Sequence, residues 1–165
     1  MEDRSFIQEN TRQRERLRAL VEELDEGSLR AQVDASRTVA GVLAHMAWWD
    51  ALVVVFADKV DRGEPWVPSD ADPEGEWVND TTLLVIEGLA PHAPRAAAEL
   101  ALNMAERADA RVAQLSLDRM TPIDPASPIE PLRAEHRSEH LDEIEAALAA
   151  TRRRFPRLED HPLGR

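Results

Sequence analysis

Two histidines stand four residues apart in the stretch AEHRSEHLDEI, residues 134–144. In a helix, His136 and His140 stack on one face, about one turn apart. Two imidazoles at that spacing can each give a nitrogen to a single metal ion, as in other helix-borne two-histidine sites. The competing reading is a pair bonded to water or carboxylates at a wet end of the fold. The pattern alone is weak, so the face that carries the rings and a third ligand must decide.

Leu132, His136, His140, Ile144 and Leu148 recur every four residues and form the apolar stripe of that helix. Arg133, Arg137, Glu139, Asp142, Glu143 and Glu145 are read as lying mostly outside it. The histidines therefore point inward. A buried imidazole pair must satisfy four ring nitrogens, and two adjacent cations repel. A metal ion resolves both demands by taking one nitrogen from each neutral ring. His45 supplies the third candidate, on the stripe Val42, His45, Trp49, Leu52, Phe56 of a second apolar segment. Three histidines leave coordination positions open, the pattern of a catalytic rather than a structural metal. Zn, Ni and Fe all suit nitrogen ligands. A neutral cage keeps the ion's full charge and lowers the pKa of a bound water or thiol. The chain has no cysteine, so a thiol would be borrowed from a small molecule. Hydrolysis fits the residues equally well. His92, between Pro91 and Pro94, and His161, in the tail, are read as solvated loop residues.

Four helices must position these groups, and no strand is convincing. The first covers about residues 4–24, its apolar stripe strengthening toward the end, with Gly27 and Ser28 breaking it. Its first half, QENTRQRERLR, is too polar to enter a core. The second covers about 37–61, with Ser36 as N-cap and Gly63 as stop. It is apolar on most sides and should be the most buried. The third covers about 80–115, interrupted at Pro91 and Pro94, and the fourth about 131–153 with Pro131 in its first turn. Proline-rich stretches at 63–78 and 120–131 read as loops, and the C-terminal tail as irregular. The expected fold is an all-α four-helix bundle in a single domain, with a core at about 5–153.

Bulk properties narrow the partners. A chain of 165 residues with 43% hydrophobic and 32% charged residues is globular in composition. The net charge of −12 disfavours nucleic acid and anionic membranes. The start MEDRSFIQENTRQRERL is too polar for a signal peptide. The run AWWDALVVVFA is broken by Asp50 and reads as too short to span a bilayer. A cytoplasmic protein acting on a small molecule is the expectation.

The segment TVAGVLAHMAWWD resembles the second-helix signature of the DinB/YfiT-like metal-binding bundles, in which a histidine follows a VLaH-type pattern. HRSEHLDEI resembles their C-terminal helix, and WVNDTT the entry to their third helix. The resemblance covers about residues 5–150 in the family's order. It implies a four-helix bundle of unusual connectivity, often dimeric, with a divalent metal on three histidines. Their counterparts here are His45, His136 and His140. Family members include thiol S-transferases using bacillithiol or mycothiol, and a mycothiol-dependent maleylpyruvate isomerase. The isomerases carry an extra C-terminal region that this chain is too short to hold. The reading that follows is a metal-dependent enzyme, a thiol S-transferase acting on a small electrophile. The alternatives are a metal-dependent hydrolase and a non-catalytic small-molecule-binding or stress-response protein.

Residues around the histidines complete the expectations. Trp48 and Trp49 follow His45 and can wall a substrate pocket, or simply pack in the core. Trp66 and Trp77 can fold the long loop over the bundle as a lid or anchor it. Asn79 is read as a helix cap, with substrate contact as the alternative. Glu135 and Glu139 are candidate partners of the ligands or a general base, against the reading of solvated carboxylates. The surplus apolar surface around Leu52–Phe56 points to the long loop or to a homodimer.

Overall fold

In a computed structural model of the chain, the described residues are 4–63, 82, 85–115 and 132–154. They form four long helices: α1 (Ser5–Glu23), α3 (Val39–Asp61), α4 (Pro94–Gln114) and α5 (Ala134–Arg154). A one-turn helix, α2 (Glu26–Leu29), links α1 to α3. Among the described residues there is no strand, only an isolated bridge between Gln32 and Thr38. The all-α bundle is therefore as expected. α3 packs most extensively on α4, and α1 lies against both α4 and α5. Thus α1 sits diagonal to α3, and α4 diagonal to α5.

The packing follows from side-chain size. α4 turns Ala97, Ala98, Ala101, Ala105 and Ala108 inward at helical spacing, so a helix as bulky as α3 can approach closely. Leu17, Val21, Val42, Leu43, Met46, Leu141, Ile144 and Leu148 fill the main core. Val53, Val54, Ala57, Val112 and Leu115 form a second cluster at the far end of α3. The stretch Val39–Lys59 is long and apolar enough to cross a membrane by length and composition, contrary to the expectation from sequence. More than half of it is buried inside the bundle, where it serves as the core helix.

The local punctuation departs from expectation in two places. Gly27 and Ser28 do not break α1. They lie inside α2, whose N-cap Asp25 accepts from the Ser28 N–H, and the chain leaves helix at Leu24 instead. The cap of α3 is Thr38, not Ser36: its Oγ1 accepts the Gly41 N–H at 3.1 Å. Ser36 is bonded to Asp34 within the preceding turn. Gly63, at φ +69°, follows the end of α3 in the left-handed conformation that suits glycine. Residues 85–89 are helical, Ala90–His92 form a 3-10 turn, and α4 restarts at Pro94, so the expected interruption is present. The start of the fourth expected helix shifts to Ala134. Asn79, Trp66, Trp77, Pro131, His161 and the two proline-rich loops lie outside the described residues.

The polar half of α1 is not excluded from the interior. Asn10 and Gln13 are buried, Asn10 against α5. Asn10 can enter because its Oδ1 accepts the Ala134 N–H and its carbonyl accepts from Arg137.

Candidate metal centre

α3 and α5 are neighbours, and their inward faces bring His45, His136 and His140 together. One ligand nitrogen from each lies within 4.8 Å of the others. The His136 and His140 ring centroids are 4.6 Å apart and nearly perpendicular, while His45 stands 4.9 Å from His140 and 5.6 Å from His136. His140 is buried and the other two are half-buried. A tetrahedral ion bound at the usual distance sets its nitrogens about 3.4 Å apart. Closing the present spacing is within reach of side-chain rotation. The donor set, three imidazoles with no competing charge among the ligands, fits a divalent transition metal.

The outer nitrogens are engaged in two different ways. His45 Nδ1 lies 2.9 Å from Glu87 Oε1, and His140 Nδ1 lies 2.9 Å from Glu143 Oε2. A carboxylate accepts, so each Nδ1 carries the proton and each Nε2 keeps a free lone pair. Arg37, held by Asp34, approaches Glu143 at 3.6 Å and fixes it from behind. His136 differs: Arg133 Nη2 donates to its Nδ1 at 3.2 Å. Burial holds the His136 imidazole neutral, its pKa pushed down to about 2, with Arg133 and the other two rings adding to the effect. Burial lowers His45 as well, against the opposing pull of Glu87.

Behind the histidines runs a chain of alternating charges. Arg133 Nε donates to Asp50 Oδ1 at 2.9 Å, and Arg137 Nε to Asp50 Oδ2 at 3.1 Å. Arg137 Nη1 donates to Asp109 Oδ1 at 2.8 Å, and Arg14 Nη1 to Asp109 Oδ2 at 2.9 Å. Arg137 also donates to the carbonyls of Asn10 and Ala105, so this one side chain bonds to α1, α3 and α4 from α5. Burial raises the Asp109 pKa, against the pull of Arg137 and Arg14.

The inward stripe of the last helix is as expected, but Arg133 and Arg137 are buried rather than outside it. Glu135 and Glu139 are exposed, and the carboxylates on the ligands are Glu87 and Glu143 instead. Trp49 stands beside the site, its ring 6.2 Å from both His45 and His136, and Trp48 meets Trp49 edge-on at 5.1 Å. His92 is exposed on its 3-10 turn. The sequence held one signal for the missed network, an aspartate at position 50 inside an otherwise apolar run.

No curated protein and no solved structure matches the chain. The family model of the DinB superfamily matches residues 9–141, a span that takes in all three histidines and both buried aspartates. The chain belongs to the DinB superfamily.

Proposed function

We propose that the protein is a divalent-metal-dependent enzyme that activates a low-molecular-weight thiol for transfer to a small electrophile. The observation that carries this reading is the convergence of His45, His136 and His140 within 4.8 Å. A bound ion would supply Lewis acidity that favours thiolate over thiol near neutral pH. The chain's own residues do the rest. Glu87 and Glu143 hold two rings with Nε2 free, and Trp48 and Trp49 form an apolar wall against which an electrophile can rest. Mycothiol and bacillithiol are the thiol types that the family resemblance implies. A cytoplasmic setting, where such thiols stay reduced, fits this chemistry.

Elemental analysis after chelator-free purification should give about one Zn, Ni or Fe per chain, and His45→Ala should abolish it. Protein that contains no metal and takes up none on titration defeats the reading. A thiol-and-electrophile activity screen of loaded protein then separates S-transfer from hydrolysis, which appears as turnover without thiol. Val55, Val85, Leu89 and Leu100 are large apolar side chains between 46 and 61% exposed, and the homodimer that the family resemblance implies is one way to cover such surface. Light scattering giving a clean monomer mass at micromolar concentration counts against the dimer.

A further inference from the structure

Loading the centre must free Arg133. In the present arrangement its Nη2 donates to His136 Nδ1, which therefore accepts. If His136 binds an ion through Nε2, a neutral ring carries its proton on Nδ1, which then cannot accept from a guanidinium. If it binds through Nδ1, the lone pair that Arg133 uses is taken. By either route the bond is lost.

Among the described residues the released nitrogen bonds to no other group. The Arg133 side chain is 4% exposed, and its described polar partners are Asp50 and His136 alone. Asp50 is already divided between two guanidiniums, with Oδ1 on Arg133 and Oδ2 on Arg137. At one end of the charged chain Arg14 reaches the exposed Glu15 at 3.6 Å, whereas Arg133 closes the other end against a neutral ring. A buried guanidinium edge without an acceptor is costly, and an anion is the partner that its fork fits.

We propose that Arg133 anchors a carboxylate-sized anionic group of the molecule that occupies the metal centre. This rests on the metal reading above and adds the substrate class: a thiol or electrophile that carries an acidic group. The anion belongs to that molecule or is a separate small ion, and the two differ in the test.

The test uses full-length protein loaded with Co(II), whose visible bands report ligand exchange without turnover. The probes are 3-mercaptopropionate, 2-mercaptoethanol and propionate. The wild type should bind 3-mercaptopropionate about tenfold tighter than 2-mercaptoethanol, and Arg133→Gln should erase most of that gap. Propionate that shifts the bands in the wild type, about tenfold more weakly in Arg133→Gln, supports an anchor for a separate ion even if neither thiol gives a sulfur-to-cobalt band. In that case the thiol reading fails and the anchor stands. Equal affinity of the wild type for the two thiols, with no response to propionate, overturns the anchor and leaves the metal reading intact. That comparison needs no variant, so it decides even if Arg133→Gln does not fold. No uptake of cobalt overturns both.

Discussion

Asp50 and Arg137 meet across the bundle interior with 3.1 Å between Oδ2 and Nε, and neither side chain is more than 1% exposed. The carboxylate also holds Arg133, so one acidic side chain serves two buried cations. Removing it leaves both guanidiniums in a low-dielectric interior short of an acceptor. Asp50→Ala should lower unfolding free energy by about 3–5 kcal/mol. Urea unfolding followed by circular dichroism measures this. A loss below about 1 kcal/mol would show that the arginines find other partners.

The helices were legible because their signals are local. Apolar spacing, proline punctuation and a terminal glycine mark them without reference to neighbours. The histidine triad was legible because two of its members share a turn and the third lies on the most apolar helix. The charged chain was not. Arg133 and Arg137 look solvated by the rule that charges face water, and only the placement of α5 between α1 and α3 explains why its inward face is wide enough to bury them. Glu87 lies 42 residues from His45, and only the packing brings it within bonding distance. Asn10 was misjudged for a related reason: a polar residue can enter a core wherever the core offers polar partners.

Glu87 sets the tautomer of His45 from outside the ligand set. Glu87→Ala removes the acceptor at 2.9 Å from Nδ1 and lets the ring turn or shift its proton to Nε2. Zinc affinity should fall about 10–100-fold, with the fold retained. Competition against a chromophoric chelator gives the number. Glu135→Ala, at an exposed position on the same helix as His136, is the control and should bind zinc as the wild type does. If both variants bind alike, Glu87 has no orienting role.

Acid should destabilise the metal-free protein through His136 and His45. Both are held below the usual histidine value in the fold, His136 at about 2. In the unfolded chain each ring takes up its proton near pH 6.5. Below that pH the unfolded state binds more protons, so stability is full above about 6.5 and declines as pH falls. From pH 6.5 to 5, His136 alone contributes a loss of about 2 kcal/mol, visible as a lower melting temperature. His136→Leu should flatten that part of the profile. An identical slope in wild type and variant would show that the ring is not buried in its neutral form.

Asn10 ties α1 to the start of the helix that carries two of the three ligands. Its Oδ1 accepts the Ala134 N–H at 3.0 Å, one of the first-turn donors of α5 that has no carbonyl within the helix. Both partners are buried, so water cannot replace the bond cheaply. Asn10→Ala should cost about 1–3 kcal/mol in unfolding free energy. The effect should also reach the metal centre, because His136 sits in the same turn, two residues beyond Ala134. Fraying there would loosen His136 and Arg133 together, so zinc affinity should drop even at temperatures where the variant is fully folded. Asn10→Asp separates the two effects, since it keeps an acceptor at that position and adds a negative charge favoured near a helix N-terminus. Zinc affinity near wild type in Asn10→Asp, with a clear loss in Asn10→Ala, is the expected pattern. Equal affinities in all three proteins would mean that α5 holds its first turn, and His136, without help from α1.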